Sequence, residues 1–178
     1  MFKVSEVMTV PPAEYSSELQ RRVYETFDSL GIPFERVDTD PGLTMEDCQH
    51  IDARIGCRIV KTIFLCNRQQ TDFYLYVTTD DKPFVTRDFC AAMGGIPRVS
   101  FASPEWLEKL TGVQVGATTI LSAILPQSQP VRLIMDKAVS EADWFACTDG
   151  TPTCFVKLRT ADLLGKYLPA SGHTLQII

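Results

Sequence analysis

Several things are scarce in this chain of 178 residues. No apolar run reaches the roughly 18 residues that cross a bilayer, so a membrane-spanning helix is not expected. The first twelve residues lack a basic start followed by an apolar core, so they do not read as a secretory signal. That absence points to the cytoplasm. There are only two histidines, His50 and His173. Neither has a local partner for a Ser-His or Cys-His nucleophile pair. The P-loop, dinucleotide-fold and nucleophile-elbow glycine patterns are all missing. No C-x-x-C pair occurs among the six cysteines, so no metal site and no cofactor is expected. The thiols read most simply as reduced and partly buried. Positive charge is also short. The formal net charge is −5, and nucleic-acid affinity rests on phosphate contacts, so any RNA contact requires a local basic patch. There is no repeat, low-complexity tract or domain linker.

What is present is ordinary globular composition: 45% hydrophobic and 22% charged residues. This length suits a single domain, 1–178, with 1–12 as an N-terminal extension. The spacing of Tyr15, Leu19, Val23, Phe27 and Leu30 predicts a helix over residues 12–30, stopped by Gly31 and Pro33. A short strand follows at 34–37, and Asp40-Pro41-Gly42 is turn chemistry. Thr44 caps a helix that Gly56 ends. Residues 58–67 form the clearest strand. It has Val60, Thr62, Phe64 and Cys66 on one face and Ile59, Lys61, Ile63 and Leu65 on the other. It returns through a polar turn as 72–79, a hairpin. Helices are expected at 86–93 and after Ser103-Pro104, with strands at 131–136, 144–147 and 153–158. A last helix at 160–168 and an edge strand at 175–178 close the chain. Residues 113–130 read as loop. Strands and helices mix without a βαβ rhythm, which predicts a mixed α/β fold with a largely antiparallel sheet among helices.

Three places could carry chemistry. Lys61 sits mid-strand on an apolar face. It is either a lysine snorkelling to water at a strand edge or a fixed cation for a phosphate or carboxylate. The stretch 112–122 (GVQVGATTILS) is either a surface loop or a ligand loop. In the second reading Gly116 allows close backbone approach, and Thr118 and Thr119 offer hydroxyls. The stretch 147–153 (CTDGTPT) is either a plain hairpin or a source of the Thr151 and Thr153 hydroxyls.

The segments LGIPF at 30–34, TMED at 44–47, VKTIFLCN at 60–67, RVSFASPEWL at 98–107, VRLIMD at 131–136 and TADLLGKYL at 160–168 resemble the YbaK/prolyl-tRNA-synthetase-associated family. More narrowly, they resemble its free-standing prolyl-tRNA-editing members of the PrdX or ProXp-ala type. The resemblance implies a barrel-like sheet wrapped by helices and hydrolysis of mischarged aminoacyl-tRNA, such as Ala-tRNA for proline. It implies that Lys61 anchors the tRNA 3′ end, and that the loop opened by Gly116 holds the ester carbonyl on backbone amides. It implies substrate contacts from Ala117, Thr118, Thr119, Asp136 and Thr151, and water as the attacking group. The implied partner is the tRNA acceptor end, with a synthetase or elongation factor as a further partner. The chain departs from the family at three points. Ile120 replaces the loop proline. A His-Pro-x-x-Asn-Thr stretch falls on residues 146–151, where only Thr151 matches. A His-Pro pair is missing near Thr39 and Asp40. These departures motivate an alternative, a non-catalytic module that binds aminoacyl-tRNA or a small molecule. A third reading is hydrolysis of a different small ester in the same pocket.

Overall fold

The computed structural model describes residues 1–41 and 43–178. The turn expected at Asp40-Pro41-Gly42 ends on Gly42, which lies outside the described residues. The first helix, α1, spans Glu18–Leu30. It begins later than the apolar spacing predicts because Ser17 caps it, accepting from the Gln20 amide at 3.0 Å. That side-chain bond satisfies an amide that would otherwise be left open at the helix start. Gly31, at φ 63°, ends the helix in the left-handed conformation. Strand β1 (Glu35–Asp38) follows, then α2 (Met45–Ile55), which opens on a capping box between Thr44 and Asp47.

The hairpin β2 (Lys61–Asn67) and β3 (Phe73–Thr78) pairs antiparallel, as its sequence predicts. Next come α3 (Thr86–Ala92), β4 (Val99–Phe101) and α4 (Pro104–Thr111), the last capped by Ser103. Strand β5 (Val131–Met135) leads into the short α5 (Lys137–Ser140). Strands β6 (Trp144–Thr148) and β7 (Cys154–Arg159) form the second hairpin. The terminal helix runs through Thr160–Asp162, a π-type stretch at Leu163–Tyr167 and Leu168–Ser171. The edge strand expected at the end of the chain is β8 (Leu175–Ile177).

The strands form two sheets. One has the order β1-β7-β6 and the other β4-β2-β3-β5-β8. Pairings are antiparallel except β3 with β5 and β5 with β8, which are parallel. Barrel-like closure is not reached: the two sheets are open. They meet at a seam where Ile59 bridges Ala146 and the Val60 amide donates to the Ala146 carbonyl at 2.9 Å. Residues 58–60 therefore leave the expected long strand to make this crossing, which is why β2 starts at Lys61.

The main core lies on the Phe64, Cys66, Leu75 and Val77 side of the larger sheet, under α1, α4 and the terminal helix. A second core covers the opposite face, where Ile63, Leu65, Tyr74 and Tyr76 meet Phe89 of α3. Each fully buried large apolar side chain contributes about 1.5–3 kcal/mol to folding. The stretch 113–130 differs from the loop that its sequence suggests. It contains two 3-10 helices, Ile120–Ile124 and Pro126–Ser128. Ile120, Leu121, Ala123 and Leu125 are all core residues. Residues 3–10 lie along β1, with the Met8 amide on the Arg36 carbonyl at 2.9 Å and the Ser5 amide on the Asp38 carbonyl at 2.9 Å.

Candidate active site

The candidate residues fall into two polar groups. Lys61 opens β2 opposite Thr78 of β3, so the two side chains share a sheet face with Ile63 and Tyr76. Asp136 follows β5 directly, and its amide donates to the Val77 carbonyl at 2.8 Å. The Asp136 carboxylate is almost sealed. One oxygen accepts from Tyr76 Oη at 3.2 Å, from Thr78 Oγ1 at 3.3 Å and from the Lys82 ammonium. The other accepts from the Ala138 amide at 2.9 Å. Burial alone would raise this carboxyl's pKa. The bonds from Lys82 and Ala138 outweigh burial and hold it below the ordinary carboxylate range. Lys82 is raised in turn, chiefly by its bond to Asp136. The Lys61 ammonium donates to the Lys82 carbonyl, so Lys82 links Lys61 to Asp136. A cavity of about 220 Å³ opens here, lined by Tyr76, Thr78, Lys82, Phe84 and Phe89 among others.

The second group is built on the other side. Gly116 takes φ 95°, a backbone shape that glycine adopts without strain. The Ala117 amide turns back onto the Gln114 carbonyl at 3.0 Å. The Ala117 carbonyl accepts from Thr148 Oγ1 at 3.1 Å. Thr119 is fully buried, and its hydroxyl accepts from the Leu121 amide at 3.2 Å, capping Ile120–Ile124. The same hydroxyl lies 3.5 Å from Cys147 Sγ. Thr118 is only partly buried. Among the described residues, the amides of Gly116 and Thr118 donate to no protein acceptor. The Ala117 amide is already used. An oxyanion-type site needs unused donors, and the amides of Gly116 and Thr118, like that of Thr119, are unused among the described residues.

Thr151 belongs to the second group through Asp149. The Thr151 amide and hydroxyl donate to one Asp149 oxygen at 3.1 and 2.7 Å. Gln20 Nε2 and Tyr24 Oη, both on α1, donate to the other at 2.9 and 2.7 Å. Asp149 is completely buried. Burial pushes the Cys147 thiol up to about 12 despite the Thr119 contact. It is protonated and sealed at neutral pH, the opposite of what a nucleophile needs. His50 is exposed on α2, and His173 fastens the tail by bonding the Ser128 carbonyl at 2.9 Å.

The structure thus links Lys61 to Asp136 through Lys82, and sets Ala117 and Thr119 against Thr148 and Cys147 of β6, with Thr151 in the turn that follows. It does not bring the two sets into one contact network. They approach at the seam, where Val60 bonds Ala146, one residue before Lys61 and one before Cys147. Sequence reasoning missed Lys82, Thr148, Gln20 and Tyr24, and gave Asp149 only a turn role. A fully buried aspartate in a hairpin turn carries no local signature. Its partners on α1 lie 125 and 129 residues away.

The profile of the aminoacyl-tRNA editing domain matches residues 39–165, which includes both polar groups except Gln20 and Tyr24 of α1. The chain is 26% identical over 161 residues to the prolyl-tRNA editing protein ProX of Acetoanaerobium sticklandii, covering 90% of this chain and 97% of that protein. Two solved structures share the fold. One is described as a candidate trans-editing enzyme for prolyl tRNA synthetase. It has a TM-score of 0.65 and 17% identity over 92% of this chain and 98% of that one. The other comes from work on computational epitope grafting onto scaffold proteins. It has a TM-score of 0.67 and 17% identity over 91% of this chain and 96% of that one. The chain belongs to the aminoacyl-tRNA editing domain family.

Proposed function

We propose that the protein is a trans-editing deacylase that hydrolyses mischarged aminoacyl-tRNA, with an Ala-tRNA(Pro)-like substrate. The observation that carries this reading is the family match over residues 39–165, which includes Lys61, the 116–119 loop, Asp136 and Thr151. The amides of Gly116 and Thr118 receive the ester carbonyl oxygen as it gains negative charge. Water adds to the carbonyl carbon, the bond to the ribose oxygen breaks, and that oxygen leaves with a proton. The products are the free amino acid and intact tRNA. No protein nucleophile is used. Lys61 anchors the negatively charged 3′ end. Its recorded partner is a neutral carbonyl, so its charge remains available to a phosphate. Asp136, Ala117, Thr118, Thr119 and Thr151 shape the substrate pocket.

The whole chain, 1–178, serves as one editing domain, with 1–12 as an extension laid along β1. Among the described residues no helix is long and apolar enough to cross a membrane. The activity belongs in the cytoplasm, where charged tRNA is found. A synthetase or elongation factor would supply affinity that a net charge of −5 does not.

One observation favours the second reading, a binding module without turnover. The Thr151 hydroxyl donates to Asp149 rather than standing free, and Ala146 and Gly150 occupy the positions of the family's His and Asn. A panel of tRNAs charged with alanine, serine, cysteine, threonine and proline separates the two. Release of one amino acid over many turnovers supports the deacylase. Binding of charged tRNA with no release from any of the five supports the module.

A further inference from the structure

Asp149 is the most thoroughly enclosed carboxylate in the molecule. It is 0% exposed, and among the described residues no salt bridge reaches it. Four neutral donors hold it: Gln20 Nε2, Tyr24 Oη, and the Thr151 amide and hydroxyl. A buried carboxylate without a cation is costly, and a plain hairpin turn does not require one. Two of the four donors come from α1, so the carboxylate ties the turn after β6 to a distant helix. Gly150 is pressed on the same helix, and a Cβ there would meet Leu19 Cδ2 at 2.6 Å. The residue before Asp149 is Thr148, whose hydroxyl donates to the Ala117 carbonyl at 3.1 Å. The residue before that is Cys147, against the Thr119 hydroxyl. An unbroken chain therefore runs from α1 through Asp149 and Thr148 to the 116–119 loop.

We propose that Asp149 is a positioning residue: it clamps the β6–β7 turn to α1 and, through Thr148, holds the 116–119 loop in the shape that receives the ester carbonyl. The clamp is independent of the deacylase reading, while its effect on catalysis rests on that reading. Tyr24 and Thr148 lie at opposite ends of this hydrogen-bonded path, and each can lose its hydroxyl with little change in volume.

The test uses the full-length protein as wild type, Tyr24→Phe, Thr148→Val and the double variant. Two readouts are taken: hydrogen exchange of the Ala117 amide, and deacylation kinetics on the charged tRNA that the wild type hydrolyses best. Losing one hydrogen bond from this path should speed Ala117 exchange roughly three- to tenfold. Exchange in β2 and β3 should stay the same. The same variants should lower kcat by a similar factor and leave KM within about twofold, and the double variant should fall short of the product of the two singles. Unchanged Ala117 exchange in Tyr24→Phe would overturn the clamp, as would faster exchange spread evenly over the fold. Unchanged kcat beside faster Ala117 exchange would overturn the catalytic role. If the wild type hydrolyses none of the five charged tRNAs, the deacylase reading is what fails, and the exchange result alone then decides the clamp.

Discussion

Two buried aspartates divide the candidate site between them, and they are held in different ways. Asp136 has a cation: the half-exposed Lys82 reaches down to it at the edge of a cavity. Asp149 has only neutral donors and no exposure. Asp136 is therefore neutralised by a cation that water or a ligand can reach. Asp149 lies where its carboxyl group can only organise the surrounding chain. The difference separates a polar group suited to recognising a charged substrate from one suited to holding a loop in shape.

The largest test of that contrast is Asp149→Ala against Asp136→Ala. Losing the Asp149 carboxylate leaves Gln20 Nε2 buried without its acceptor and Tyr24 Oη with only the Cys154 sulfur at 3.4 Å, which costs about 3 kcal/mol or more. Losing Asp136 frees Lys82 into water and leaves Tyr76 Oη and Thr78 Oγ1 beside a cavity where water can replace the carboxylate, so the cost is smaller, about 1–2 kcal/mol. Urea midpoints of the two variants check the ranking, and equal losses would erase the distinction.

A second pair sharpens it with glycines. Gly150→Ala adds a Cβ 2.6 Å from Leu19 Cδ2 at φ 98°, and overpacking plus backbone strain should cost about 2–4 kcal/mol. Gly116→Ala meets nothing within 4 Å at φ 95°, so only the backbone term remains, about 1 kcal/mol. Its effect should appear in the deacylation rate instead. Thermal melts and kinetics on both variants distinguish a structural glycine from a site glycine.

The smallest effect concerns pH. The Asp136 carboxyl is held below its ordinary value of 3.8. Its contribution to stability is therefore complete above that value and is lost as pH falls through the lower, folded one. Lys82 is raised above 10.5, so its contribution is complete below that value and is lost as pH rises beyond it. Lys82→Met should flatten both limbs of the stability profile, by less than about 1 kcal/mol because the ammonium is half exposed. Chemical denaturation between pH 2 and 5 reads the acid limb, and an acid limb as steep as the wild type's would show that Lys82 does not set it.

Local chemistry was legible where a single residue decides an element. Thr44 starts α2, Ser103-Pro104 starts α4, and Gly31 and Gly56 end helices at positive φ. The alternation in β2 also assigned its faces correctly, with Phe64 in one core and Ile63 in the other. What the sequence hid depends on distant partners. Residues 113–130 look like loop because two short 3-10 turns leave no helical period. Ile120, Leu121, Ala123 and Leu125 are buried because α1 and the terminal helix close over them, with Tyr167 Oη donating to the Leu121 carbonyl at 2.7 Å. The parallel pairing of β3 with β5 and the crossing at Ile59 have no local signal either. The same holds for the site. Lys61 stood out as a charge on an apolar face. Its link through Lys82 to Asp136, and the tie from Tyr24 to Asp149, exist only once the chain has folded.

The most direct measurement is the single-turnover rate of hydrolysis of alanyl-tRNA(Pro), comparing wild type with Lys61→Ala. A charge-assisted contact to the tRNA end is worth about 1.5–3 kcal/mol, so subsaturating rates should fall roughly ten- to hundredfold. The fold should remain intact, because Lys61 makes its recorded bond at the protein surface. A Lys61→Ala protein that hydrolyses the ester at the wild-type rate would contradict the account.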